Sequence, residues 1–290
     1  MRDDQRVIDV VRTAAARLAA SGFTTPRLDA EVLVRHVAGW DRTAYFLHRG
    51  DPWPPDLDDD FTTLLHRRLA GEPIAYITGS REFLGMPFLV SPAVLVPRPE
   101  TELLVEWATG WLQPRHGSVV LDVGTGSGAI ILGVAAQANP ARHHILIGSD
   151  VSAGALDIAR RNQARLADLG AKRSVQWVRG DLGRWYGGGA DLVLANLPYL
   201  RPDQVADNQE LSAEPELALV AGADGLTLIR SLIADLPRLL APGGAVGLEI
   251  DPSQAENVRA LLAAAMPDGR ITVRSDLAGF ARHVTAECRV

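Results

Sequence analysis

Val120-Leu121-Asp122-Val123-Gly124-Thr125-Gly126-Ser127-Gly128-Ala129-Ile130 reads as a short apolar strand running into a glycine-rich turn and then a helix. Glycines let the backbone adopt positive φ and approach a ligand with no Cβ in the way. The helix that follows offers its first N–H groups unpaired. Outward from this point, short apolar runs at 119–123, 145–149, 175–178, 192–195 and 245–250 are separated mostly by helical stretches, among them 154–169 and 226–240. Continuous apolar strands alternating with helices predict a parallel sheet covered on both faces. Two late strands are expected at 271–274 and 283–287. The fold class is α/β, with a Rossmann-like sheet.

The first 70 or so residues follow a different rule. Val7, Val11, Ala14 and Leu18 share one helical face, as do Ala30, Leu33, Val34 and Val37. Phe61, Leu64, Leu65 and Leu69 mark another helix, after the breaker Trp53-Pro54-Pro55 and the acidic Asp58-Asp59-Asp60, which suits a helix N-terminus. A small helical bundle is expected at 1–72, a β-hairpin connector at 73–97 and a catalytic domain at 98–290. Within the connector, 81–84 and 87–90 flank Gly85-Met86 as two short strands.

The 290 residues are 47% hydrophobic, which argues for packed domains rather than a disordered chain. The formal charge is −6 and no dense basic run is visible, so direct binding of nucleic acid is not expected. Cys288 is the only cysteine, which excludes an internal disulfide and a paired-cysteine zinc site. The start, Met1-Arg2-Asp3-Asp4-Gln5, lacks the basic and apolar segments of a signal peptide, and 119–138 holds Asp122 and four glycines, a poor membrane span. A cytoplasmic protein, off membranes, is the expectation; the oligomeric state is left open, with a monomer favoured.

Two cofactors compete for the glycine loop. Gly124, Gly126 and Ala129 fit the loose dinucleotide pattern, which is weak alone. Asp150, at the end of the next strand, suits ribose hydroxyls in either case. Asp122 is more telling: an acid facing the ligand would repel a pyrophosphate but suits the cationic methionyl end of S-adenosyl-L-methionine. Asp181 and Leu182, after the third strand, would then meet the amino group and the face of adenine. Cofactor binding is thus assigned to Asp122, Gly124, Thr125, Gly126, Ser127, Gly128, Asp150, Asp181, Leu182 and Asn196.

The strand 191–195 ends in Asn196-Leu197-Pro198-Tyr199, at the ligand-binding edge of such a sheet. These four residues are the expected catalytic and acceptor-binding group. The lone pair of an amide or aromatic amine nitrogen is delocalised. Acceptors that take its two hydrogens, here the Asn196 side-chain carbonyl and the Leu197 backbone carbonyl, rehybridise the nitrogen and aim that pair. Pro198 and Tyr199 can pack on a flat group. Such a site works by position, bringing nitrogen to about 3–3.5 Å from the methyl carbon.

At this point the chain resembles the HemK-type protein-(glutamine-N5) methyltransferases. The matching stretches are Gly71-Glu72-Pro73-Ile74-Ala75-Tyr76-Ile77-Thr78-Gly79, Arg81-Glu82-Phe83-Leu84-Gly85, Val96-Pro97-Arg98-Pro99-Glu100-Thr101-Glu102 and the glycine loop. They continue with Glu214-Pro215, Ala218-Leu219, Gly222-Ala223-Asp224-Gly225-Leu226 and Asp276-Leu277-Ala278-Gly279. The resemblance implies an S-adenosylmethionine-dependent methyltransferase domain. It also implies peptide chain release factors as partners, methylated on the glutamine of their Gly-Gly-Gln loop, and a helical N-terminal domain that helps grip them. By position, Arg98, Pro99, Glu100 and Thr101 either line the acceptor wall or cap a helix. Leu197 stands where the family usually has proline. Asn-Leu-Pro-Tyr is also similar to the motif of ribosomal RNA adenine dimethyltransferases, so adenine N6 is one alternative acceptor. A ribosomal protein's glutamine is another, and a non-catalytic binding module is a third reading.

Weaker features take ordinary readings: His143-His144 a solvated turn, Trp177 and Trp185 core, Cys288 inert.

Overall fold

The computed structural model describes residues 5–169, 174–206 and 209–288. The first four residues of the polar start and the single lysine, Lys172, lie outside them. The chain divides into two compact units, Met1–Gly79 and Ser80–Val290.

The first unit is helical: α1 (Val7–Ala20), α2 (Pro26–Ala38), α3 (Arg42–His48), α4 (Asp58–Leu69) and α5 (Ile74–Thr78). Pro26 opens α2, whose end is closed by Gly39 in the left-handed region. Asp41 caps α3 by accepting from the Ala44 N–H at 2.7 Å. The core gathers the faces read from the sequence, with Val7, Val11, Leu18, Leu33, Phe61 and Leu65 buried. A feature without sequence signal lies inside it. The Arg68 guanidinium, 2% exposed, pairs at 2.8 Å with the Asp29 carboxylate, and Thr25 also donates to Asp29.

The second unit begins with the hairpin β1 (Ser80–Phe83) and β2 (Met86–Leu89). The stretch 73–97 is therefore shared, α5 belonging to the first unit and the hairpin to the second. Phe83 and Phe88 draw the hairpin in, meeting edge to face at 5.7 Å within the core of the second unit. Asn162, fully buried, bonds both the Leu89 N–H and C=O and also donates to the Ser127 carbonyl, tying the hairpin to the glycine loop.

The main sheet contains β3 (Val119–Val123), β4 (Ile145–Asp150), β5 (Val175–Arg179), β6 (Ala190–Ala195), β7 (Leu240–Glu249), β8 (Arg270–Ser275) and β9 (Ala281–Glu287). Their order is β5-β4-β3-β6-β7-β9-β8. The strands from β5 to β7 are parallel, while β9 runs antiparallel to both of its neighbours, so the sheet is mixed rather than wholly parallel. The antiparallel pair follows from the short connection between β8 and β9, too short for a crossover helix.

Helices α6 (Glu102–Leu112), α7 (Ala129–Gln137) and α8 (Ala153–Asp168) lie in the first half of this unit. Next come the short α9 (Pro202–Ala206) and α10 (Gln209–Ser212), then α11 (Thr227–Leu239) and α12 (Ala255–Ala265). Along β6, Leu192 and Leu194 pack with Leu104 and Ile131 of α6 and α7, whereas Val193 and Ala195 pack with Leu232 and Leu262 of α11 and α12. Both faces are buried, which is why the strand reads as an unbroken apolar run; each fully buried leucine contributes about 1.5–3 kcal/mol. The chain changes direction across the sheet between β3 and β6, the switch point where open α/β sheets bind ligands.

Candidate functional site

The glycine loop leaves β3 at this switch point. Gly124, Gly126 and Gly128 all have positive φ, at 73°, 55° and 83°. At Gly126 an added Cβ would meet nothing within 4 Å, whereas at Gly124 it would come 2.8 Å from Leu197 Cδ2. Gly128 plays another part. A Cβ there would press on Leu132 and Trp177 at 3.0 Å, so its small size serves packing at the start of α7, and it does not line the cavity below.

Asp122 also departs from its expected place. It is fully buried and is not part of the cavity wall. Its Oδ2 accepts from the Thr125 hydroxyl at 2.5 Å and from the Ile131 N–H at 3.3 Å, so the carboxyl holds the loop onto α7 from beneath. Burial pushes this acid up to about 7, against the pull of those two donors.

A cavity of about 290 Å³ opens above the loop. Its walls bring together Gly124, Thr125, Gly126 and Ser127 from the loop, Asp150 from the end of β4, Asp181 and Leu182 after β5, and Asn196, Leu197 and Pro198 after β6. Asp150 Oδ2 accepts from the Gly126 N–H and Oδ1 from the Ser152 N–H, both at 2.9 Å. Asp181 is half exposed and bonded to Arg184. Leu182 is buried with φ 49°, a strained backbone for a leucine and of a kind that clusters at ligand sites. A glycine cradle, a carboxylate at a strand end and apolar walls suit a nucleoside with a polar tail, so these residues fit the expected cofactor.

A second cavity, about 220 Å³, adjoins the first. Asn196, Leu197 and Pro198 line both, and Tyr199 and Arg98 line the second alone. The loop is thus a partition with one space on each side. Its backbone is held by residues from later in the chain. Leu200 N–H donates to the Leu219 carbonyl at 2.9 Å, and Gln254 Nε2 donates to the Tyr199 carbonyl at 2.9 Å. A Cβ on Gly225 would sit 2.1 Å from that same carbonyl, so only glycine fits there.

The Arg98 to Thr101 stretch divides between its two expected roles. Thr101 is buried, lines the first cavity and accepts from Asn196 Nδ2 at 3.2 Å. Arg98 reaches the second cavity, bonded to the buried Glu214, whose other oxygen accepts from the Val96 N–H at 3.0 Å. Pro99 and Glu100 line neither cavity; they open the 3₁₀ turn that leads into α6. Sequence reasoning assigned no role to Leu95 and Pro97 in the first wall, to Arg282 in the second, or to the buried Glu249 and His283. Gln254 and Gly225 support the loop from afar, and Glu214 holds Val96 and Arg98; the Glu214-Pro215 and Gly222-to-Leu226 matches were the signal that pointed to two of the three.

Among the minor features, Trp177 donates to Gln163 and packs beside Gly148, and Trp185 donates to the Leu182 carbonyl. Partial burial pushes the Cys288 thiol up, away from the reactive thiolate. Among the described residues no helix is long and apolar enough to cross a membrane.

A switch-point cavity with a glycine cradle, beside a second cavity behind an Asn-Leu-Pro-Tyr partition, defines a Rossmann-like methyltransferase domain. Residues 120–212 match the methyltransferase domain family, and residues 9–79 match the PrmC N-terminal domain. Among solved structures, a methyltransferase from Pyrococcus furiosus aligns over 78% of this chain and 98% of its own, with TM-score 0.50 and 19% identity, a likeness of fold. The release factor glutamine methyltransferase of Deinococcus radiodurans is 38% identical over 279 residues, covering 96% of this chain and 97% of that protein. That of Bordetella pertussis is 42% identical over 263 residues, covering 89% and 93%. The chain belongs to the release factor glutamine methyltransferase family.

Proposed function

We propose that this protein transfers a methyl group from S-adenosyl-L-methionine to the side-chain amide nitrogen, N5, of the glutamine in the Gly-Gly-Gln loop of peptide chain release factors. The observation that carries this reading is the partition: Asn196, Leu197 and Pro198 line both cavities, so a donor on one side meets an acceptor on the other.

The residues that would hold the cofactor are Gly124, Thr125, Gly126, Ser127, Asp150, Asp181 and Leu182. When bound, it supplies a methyl group activated by a sulfonium. The chain's own contribution lies on the acceptor side. The Asn196 side-chain carbonyl and the Leu197 backbone carbonyl take the two amide hydrogens, which localises the nitrogen lone pair and points it through the partition. Pro198 and Tyr199 bracket the flat amide. The methylated nitrogen then releases one proton to water. The helical unit serves recognition of the factor. The family's substrate and the net charge of −6 support a cytoplasmic enzyme that reads protein rather than nucleic acid.

Mass spectrometry of a purified release factor after incubation with the enzyme and S-adenosyl-L-methionine tests the proposal. One added methyl group on the Gly-Gly-Gln glutamine is expected. An unmodified factor, with methyl transfer to a ribosomal protein or to RNA adenine instead, would overturn it.

A further inference from the structure

Behind the second cavity lie two buried ionisable side chains that the proposed reaction does not use. Glu249 ends β7 and is 2% exposed; His283, its partner across the β7–β9 ladder, is 1% exposed. His283 Nε2 lies 3.4 Å from Glu249 Oε2, and neither atom has a hydrogen-bond partner among the described residues. A carboxylate taken out of water is unfavourable unless a cation or donors compensate it, and the His283 imidazole is the side chain that sits against it. The other oxygen, Glu249 Oε1, lies 3.5 Å from the Tyr199 hydroxyl.

That separation is longer than an ordinary O–H···O bond. Such bonds are often loose without substrate and tighten when it arrives. Burial, followed by the Glu249 charge, holds the phenol well above its ordinary value, so it keeps its proton and donates it. The competing cations are already taken: Arg98 is bonded to Glu214 and Arg282 to Asp276.

We propose that Glu249, held by His283, is a positioning residue that orients Tyr199 against the acceptor amide. This rests on the reading of the second cavity as the glutamine site. Glu249 does not touch the acceptor; it fixes the tilt of the ring that does.

The test is steady-state methyl transfer from S-adenosyl-L-methionine to a purified bacterial peptide chain release factor, using wild type, Tyr199→Phe, Glu249→Gln and the double variant. Each single change is expected to lower kcat about tenfold, with the KM for the factor and the calorimetric Kd for the cofactor kept within about twofold. The double variant is expected to be no worse than the slower single one, because the two side chains act through one contact. Wild-type kcat in Glu249→Gln, or losses that multiply in the double variant, would overturn the proposal. Should Glu249→Gln fail to fold, Tyr199→Phe decides alone: it keeps the ring and its packing, and an unchanged kcat overturns the inference. Absence of transfer by the wild-type enzyme would instead defeat the glutamine reading itself.

Discussion

The Asn196 amide donates to the Thr101 hydroxyl at 3.2 Å, which leaves its carbonyl end for an acceptor. The two residues lie far apart in the chain, and the second is buried at the start of α6. A freely turning asparagine amide presents either end. In this arrangement the amino end is occupied by Thr101 and the carbonyl end is the one left over.

Replacing Asn196 by alanine therefore removes a directing acceptor and should lower kcat at least about a hundredfold, as loss of one preorganised polar group at a reacting centre does elsewhere. Thr101→Val, which only frees the amide to turn, should cost about three- to tenfold. Methyl-transfer kinetics read both effects, and calorimetry should find cofactor binding by Asn196→Ala largely retained. Full activity in Asn196→Ala would sink the proposed acceptor geometry.

Gly225 tests the loop from behind. It sits at φ 70°, and a Cβ there would meet the Tyr199 carbonyl at 2.1 Å, so alanine must displace the partition. Gly225→Ala should lower kcat by at least about tenfold while the Kd for S-adenosyl-L-methionine, set mainly by the glycine loop and Asp150, moves little. Equal loss of both would show that the loop and the cradle move together.

Asp122 should make stability depend on pH. Its folded-state value, raised by burial, is about 7 against an ordinary 3.8. Between these values the unfolded chain has released the proton that the folded one still holds. Stability is fully present at the acidic end and falls by about 1 kcal/mol per pH unit as pH rises towards 7. Asp122→Asn carries no such proton, so urea unfolding from pH 4 to 7 should show the wild type losing stability relative to the variant. Parallel curves would refute the buried-acid account.

In the helical unit, Asp29→Ala removes the carboxylate that pairs with the buried Arg68 guanidinium, which keeps its bond to the Glu72 carbonyl. Removing one partner of a buried pair costs about 3–5 kcal/mol, so thermal unfolding of this variant should show a clear fall in stability. Replacing both residues by apolar ones of similar volume should recover much of it.

The sequence alone carried the α/β class, the helical start and the glycine loop. Each is written in short-range periodicity, period 2 or 3.6 or a continuous apolar run, and in glycines where the backbone turns. It also placed Asn196 to Tyr199 at a strand end, because a strand's end is a local fact. Local pattern does not say which atoms face one another across the fold. Asp122 read as a ligand-facing acid because its position next to the loop is sequential, whereas its burial beneath Thr125 and Ile131 depends on how α7 packs on the sheet. Gly128 read as part of the cradle, yet its missing Cβ is required by Trp177 from another strand. Only the tertiary structure brought Gly225 and Gln254 onto the partition, Glu214 onto Val96 and Arg98, and Glu249 against His283, since those meetings depend on strand register and helix packing between segments far apart in the chain.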